Sequence, residues 1–76
     1  MIKELDDIIL TCDLPQHGLA KDDIGTVVLV HNGGEGYEVE ITTLDGETQA
    51  VATLPASYVR PVRGGEIPHA RQLATV

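Results

Sequence analysis

Two runs of alternating residues on either side of an Asp-Gly pair constrain the fold of this chain more than any other feature. From residue 37 to 43, apolar and polar side chains alternate, which is the period of a strand with one buried and one exposed face. A second run covers residues 49–54, and Asp45-Gly46 lies between the two. Because Asp-Gly favours a type I′ turn, the segment predicts a β-hairpin. The predicted buried face of the first run consists of Tyr37, Val39, Ile41 and Thr43. For the second run we expect Ala50, Ala52 and Leu54 to face inward, with Gln49, Val51 and Thr53 as the alternative set.

Three further strands are predicted, at residues 8–11, 25–31 and 59–62. The second is a continuous β-branched run, which indicates either burial on both faces or a strand that bends across a barrel. Pro61 has no N–H to donate, so the last strand is expected at an edge or at a barrel closure. Residues 55–58 resemble a tight 3₁₀ turn that leads into that strand.

The connection between the first two strands, residues 12–23, is predicted to be a long loop. It contains Pro15 and Gly18 and has no sustained helical stripe. Leu14 and Leu19 are expected to attach this loop to the core.

The number and spacing of these strands predict an all-β fold. The chain has 76 residues, enough for one domain, and without Phe or Trp its core must be aliphatic. Five short strands, a long first loop and a 3₁₀ turn before the last strand follow the order of a small SH3-like barrel. We expect residues 1–63 to form this barrel and residues 64–76 a C-terminal tail that is flexible or docks late. An open antiparallel sheet completed by a dimer partner is the alternative.

Charge is unevenly distributed along a chain whose net charge is −7. Residues 1–57 contain two lysines and eleven of the twelve acidic residues, a net −9, whereas residues 58–76 have three arginines and one glutamate, a net +2. An acidic body repels phosphate, so nucleic acid and anionic membranes are unfavourable partners. The charge favours a basic protein partner, or serves solubility alone.

Residue types that could support catalysis or metal binding occur without a recognisable pattern. The spacing of Cys12 and His17 fits no standard zinc site, and His31 and His69 lie far along the chain. The sequence therefore predicts no metal, no cofactor and no enzymatic activity. A single cysteine provides no disulfide framework, and no stretch approaches the ~20 apolar residues of a membrane span, so the cytoplasm is the expected location.

Short motifs spread over residues 3–62 carry a family resemblance. They are Lys3-Glu4-Leu5-Asp6, Leu14-Pro15, His17-Gly18-Leu19, Gly25-Thr26-Val27-Val28, Tyr37-Glu38-Val39-Glu40, Leu44-Asp45-Gly46-Glu47 and Val59-Arg60-Pro61-Val62. With them the chain resembles an uncharacterised bacterial family of small proteins known as a domain of unknown function. The resemblance implies an SH3-like fold and brings no catalytic residues. Some relatives look like the neutralising partner of a toxin in a two-gene pair. One departure is Asp22-Asp23, where the family has Gly-Asp, which allows a different turn type.

Three functional hypotheses follow. The first is a non-catalytic protein-interaction module, in which an acidic strand face binds a basic partner in the manner of an antitoxin. The second is a nucleic-acid-associated module, because residues 23–28 also resemble the opening of KOW-like domains. The third is a homodimeric structural protein. The acidic face of the first hypothesis consists of Glu35, Glu38, Glu40 and Glu47, and the basic strip of the second consists of Arg60, Arg63 and Arg71.

Overall fold

The predicted hairpin is present in the computed structural model, which describes residues 1–73. Strand β3 (Gly36–Thr42) pairs antiparallel with β4 (Thr48–Pro55). The alternation holds within the two strands, because their predicted inward side chains are the covered ones and Val51, on the other face, is 53% exposed. Thr43, which was also predicted to face the core, lies beyond the end of β3 and is only partly buried. The buried members are Tyr37, Val39, Ile41, Ala52 and Leu54, with Ala50 partly buried against them.

The turn of this hairpin is not the predicted type I′. That turn needs positive φ at both central residues, and among the described residues only Leu5, Asp22 and Asn32 have positive φ besides glycines. The Gly46 amide donates to the Thr43 carbonyl at 2.9 Å, and the Thr43 amide donates to the Glu47 carbonyl at 2.8 Å. Three residues thus form the loop, and Gly46, at φ 94°, supplies the left-handed position of a bulged turn.

Strand β2 (Ile24–His31) bends instead of being buried on both faces. Its register against β3 shifts between Val27 and Leu29, which marks a β-bulge. Val27 is fully buried before the shift, whereas Val28 and Leu29 are each about two-fifths exposed. The bulge therefore places two apolar side chains of this strand at the surface.

The five strands form one antiparallel sheet in the order β4-β3-β2-β1-β5, with β1 at Asp7–Leu10 and β5 at Val59–Pro61. This is the predicted order of an SH3-like barrel, and β4 and β5 are its two edges. A 3₁₀ turn, Ala56–Tyr58, precedes β5 as expected. Pro61 lies on the β5 edge strand, where a missing N–H is tolerated.

The first loop closes one side of the core. Leu14 and Leu19 form an isolated bridge around the 3₁₀ turn Pro15–His17, and both are nearly fully buried. They join an aliphatic cluster whose most deeply buried large side chains are Ile8, Leu10, Val27 and Val39.

Residues 62–73 continue beyond β5 without regular secondary structure, and residues 74–76 of the predicted tail lie outside the described residues. Whether the tail is flexible or docks late remains a prediction. Within residues 1–73, the structure contains no helix with the length and hydropathy to cross a membrane.

Candidate protein-interaction surface

The outward side of β3 carries Glu38 and Glu40, as the alternation predicted. Both are partly exposed, and their cross-strand neighbours on β4 are Thr53 and Val51. Residues separated by two positions along a strand are about 7 Å apart, so the two carboxylates belong to one continuous surface. They lie on an open sheet face and not in a cleft.

Strand register brings a third carboxylate to this surface. Asp7 of β1 pairs with Thr26 of β2, and Thr26 pairs in turn with Glu40. Residues directly opposite in an antiparallel sheet share a face, and the Thr26 hydroxyl donates to Asp7 Oδ1 at 3.3 Å. Asp7 was not among the predicted site residues, because only the pairing of strands distant in the sequence places it beside Glu40.

The other two predicted acidic residues lie at opposite ends of β3. Glu35 precedes the strand in the turn from β2, and its carbonyl accepts the Ala56 amide at 3.0 Å. Glu47 lies in the hairpin loop, where its amide donates to the Thr43 hydroxyl at 3.1 Å. Both side chains are exposed. The structure thus brings Glu38 and Glu40 together and sets Glu35 and Glu47 at the two ends.

Exposed apolar side chains accompany the carboxylates. Val28 and Leu29 of β2 and Val51 of β4 are 40%, 41% and 53% exposed. Leu29 lies opposite Glu38, and Val51 lies opposite Glu40. Of the two alternatives that the β-branched run of β2 left open, the exposure of Val28 and Leu29 fits the bent strand. We call the whole surface the mixed face; it consists of Asp7, Thr26, Val28, Leu29, Glu38, Glu40, Val51 and Thr53.

Local contacts orient the two central carboxylates. Glu40 Oε2 accepts the Thr48 hydroxyl at 2.8 Å. Glu38 Oε2 lies 3.3 Å from His31 Nε2, within ion-pair distance, although the two atoms do not form a hydrogen bond. Both glutamates keep part of their surface in solvent and remain available to an external cation.

The predicted basic strip is largely paired with acids of this chain. Arg60 forms a two-pronged contact with Glu66, at 3.0 Å from Nη1 to Oε1 and 2.6 Å from Nη2 to Oε2. The Arg60 hydrogen bonds, followed by that of the Arg63 amide, lower the pKa of Glu66 from 4.5 to about 2. Arg63 contributes its backbone to this contact at 2.6 Å, and its side chain lines a shallow polar depression with Arg60 and Lys21.

Arg71 makes the second contact of the tail. Its Nε and Nη2 donate to Asp23 at 2.8 and 2.6 Å, and Nη2 lies 3.3 Å from the Gly18 carbonyl. Burial alone would raise the pKa of Asp23. The hydrogen bonds from Arg71 and the Ala20 amide, with the Arg71 charge, outweigh burial and lower it. Two of the three arginines are therefore engaged by carboxylates of the same chain.

The residues considered for metal binding are dispersed. Cys12 follows β1, His17 ends the 3₁₀ turn of the first loop, His31 ends β2 and His69 lies in the tail. Within residues 1–73, no three side chains of His, Cys, Asp or Glu form a group that could hold a metal ion. The absence of a cofactor remains a prediction.

Comparison with protein families gives one match. The model described as "Domain of unknown function (DUF4926)" matches residues 4–61, which include all five strands. No curated protein and no solved structure shows a significant match to the chain. The matched segment covers more than three-quarters of the 76 residues and coincides with the sheet and the mixed face. The chain therefore belongs to the DUF4926 family of domains of unknown function.

Proposed function

We propose that this domain is a non-catalytic protein-interaction module whose mixed face binds a basic protein. The observation that carries the proposal is the position of Glu38 and Glu40 beside the exposed side chains of Leu29 and Val51 on one sheet face. Apolar side chains supply buried area in an interface, and the carboxylates around them select a partner of opposite charge.

The charge of the whole chain supports the same partner. A net charge of −7 on 76 residues steers cationic proteins toward the domain and repels acidic ones. Glu35 and Glu47, at the two ends of β3, extend the negative potential along the strand. In the finer form of the proposal, the domain is antitoxin-like: it covers the cationic substrate groove of a toxic partner and so neutralises it.

The test is co-expression with the product of the adjacent gene, followed by affinity measurement at several salt concentrations. We expect a complex whose affinity falls as salt rises, because the encounter depends on exposed charge. Glu38→Gln and Glu40→Gln should each weaken binding by about 1.4- to fivefold, equivalent to the ~0.2–1 kcal/mol of an exposed ion pair.

Asp13→Asn is the matched control. It removes one negative charge, as Glu40→Gln does, but Asp13 lies in the first loop, and asparagine can still accept the Lys21 amide hydrogen bond that Asp13 Oδ1 accepts at 2.8 Å. Its affinity should stay near that of the native chain. If Asp13→Asn weakened binding as much as Glu40→Gln does, the loss of affinity would be due to net charge alone. Binding that does not depend on salt would contradict the proposal.

The antitoxin-like form has its own readout. Expression of the partner alone should arrest growth, and co-expression of the domain should restore it. The double variant Glu38→Gln/Glu40→Gln should restore it less well at equal protein level. If expression of the partner alone does not arrest growth, the neutralising role is contradicted, whereas the proposal of an interaction module is not.

A further inference from the structure

Strand β4 is an edge strand with unusual composition. It forms one end of the sheet order, and its eight residues, Thr48–Pro55, include no charged side chain. Natural proteins commonly protect exposed edges with lysine, proline or bulges, because unpaired backbone groups invite another strand. On β4 the proline occurs only at the last position, and the register shift against β3 lies near the hairpin loop.

Backbone hydrogen bonding shows which groups face the free side of β4. The Ala56 amide donates to the Glu35 carbonyl at 3.0 Å, so Glu35 and Ala56 form a hydrogen-bonded pair that continues the β3–β4 ladder. Bonded and non-bonded pairs alternate in an antiparallel ladder, and the next bonded pairs are then Tyr37–Leu54 and Val39–Ala52. The amides and carbonyls of Val51 and Thr53 therefore point away from β3.

Pro55 belongs to the same outward set as Val51 and Thr53. Its missing N–H removes no bond to β3, which explains how a proline is accommodated in this strand. A strand that added to β4 would find two complete donor and acceptor pairs, at Val51 and Thr53, and one further carbonyl at Pro55.

Charge complementarity identifies the occupant. Val51 and Thr53 lie directly opposite Glu40 and Glu38, so their side chains share the mixed face. An added strand would place alternate side chains on that face, about 10 Å and two strand spacings from β3. Lysine and arginine are long enough to cross the small Val51 and Thr53 side chains and approach the two carboxylates. A second copy of this chain would bring another charge of −7 and no cation opposite β3.

We propose that β4 receives an extended segment of the basic partner as a sixth strand, with lysine or arginine at alternate positions over Glu38 and Glu40. This inference rests on the proposed function and specifies its partner: recognition by strand addition, in which backbone bonds supply affinity and alternate side chains supply specificity.

The probe is a fluorescein-labelled heptapeptide of alternating lysine and valine, and its binding is measured by fluorescence anisotropy at low salt. Thr53→Pro removes one outward N–H and should weaken binding at least tenfold. Thr53→Val keeps the N–H and the shape of the side chain, and its affinity should stay within about twofold. In amide NMR spectra, Val51 and Thr53 should shift when the peptide is added.

A second pair of probes tests the backbone of the peptide itself against the native protein, in case Thr53→Pro fails to fold. In an antiparallel addition, the peptide residues directly opposite Val51 and Thr53 have side chains over the mixed face and exchange both backbone hydrogen bonds with those residues, so they direct their amides toward β4. N-methylation at the lysines should therefore abolish binding, and N-methylation at the valines should not. Equal binding of the two methylated peptides would overturn the strand addition.

The outcomes separate the two proposals. If Glu40→Gln weakens peptide binding while Thr53→Pro and lysine N-methylation do not, the mixed face binds cations but the edge is not used. If the adjacent-gene product forms no salt-dependent complex while the peptide binds as described, the proposed function fails and the edge inference stands as a binding property of β4. If the peptide does not bind the native chain, the edge inference fails.

Discussion

Gly25 lies where β2 crosses the core side chains of β3. A Cβ at this position would lie 2.6 Å from Val39 Cγ1, 3.1 Å from Ile41 Cδ1 and 3.1 Å from the Glu40 carbonyl oxygen. Val39 is fully buried and cannot move into solvent. The requirement for glycine here comes from close approach between strands, because its φ is not in the left-handed region.

Gly25→Ala should therefore destabilise the fold by about 1–3 kcal/mol, the usual cost of overpacking a core. Urea denaturation followed by circular dichroism measures the change. Gly64→Ala is the control, since nothing lies within 4 Å of an added Cβ there and the residue is exposed. An unchanged urea midpoint for Gly25→Ala would show that Val39 and Ile41 can move aside.

Position 22 is another place where the backbone conformation restricts the type of residue. It has φ 77°, in the left-handed region that glycine enters without steric cost. Its amide still donates to the Leu10 carbonyl at 2.9 Å. Asp22 thus occupies a position that suits glycine, and aspartate tolerates this region better than most residues.

At the scale of elements, the segment after β5 is attached to the sheet by two ion-paired contacts. Arg60 and Glu66 join the end of β5 to residues 63–66, and Arg71 joins the tail to Asp23 before β2. Both carboxylates have a lowered pKa when the contacts are formed. Their titration therefore reports whether residues 62–73 stay docked.

We expect the Glu66 carboxyl to titrate at about pH 2 in the folded chain, against 4.5 in the absence of its partners. A lowered folded-state pKa means that this contact contributes its full stability above pH 4.5 and loses it as the pH falls toward 2. Side-chain carbon NMR measures the titration directly. Arg60→Gln should move the Glu66 pKa back toward 4.5.

Arg71→Gln serves as the control for that measurement. It should raise the pKa of Asp23, because the hydrogen bond and the charge of Arg71 are lost, and leave Glu66 unchanged. A Glu66 titration near 4.5 in the native chain would mean that the Arg60 contact is not maintained in solution.

At the scale of the whole molecule, the net charge of the chain opposes the self-association that the free β4 edge favours. The uncharged β4 edge can pair with the β4 edge of a second copy, which would join two copies through their sheets. A charge of −7 at neutral pH opposes the approach of two copies. The balance between these two terms sets the oligomeric state.

Light scattering should give a mass near 8.1 kDa at pH 7 and a rising mass as the pH approaches the isoelectric point of about 4.6. At that pH the net charge is near zero, so electrostatic repulsion between two copies is lost, while the backbone groups of the β4 edge remain unpaired. Thr53→Pro should reduce the association, since it removes an outward N–H from β4. A dimer at pH 7 that survives this substitution would favour the structural-homodimer hypothesis and place its interface away from β4.

The sequence by itself determined the elements of this protein. Alternation over residues 37–43, the Asp-Gly pair and the glycine- and proline-rich connections predicted the strands, the SH3-like order and the carboxylates on β3, because strand period and turn preference are local properties of the chain. The predicted turn type at residues 43–47 was wrong, because Asp-Gly is accepted both in a two-residue type I′ turn and in a three-residue loop with a bulge.

Tertiary structure alone decided which residues share a surface. Pairing between distant strands brought Asp7 to Glu40, the β2 bulge exposed Val28 and Leu29, and ion pairs engaged Arg60 and Arg71. Strand register and the Arg71–Asp23 contact join residues far apart in the sequence, and local patterns carry no information about them. The carboxylates on β3 could be identified in advance, but Asp7, the apolar half of the mixed face and the free edge required the fold.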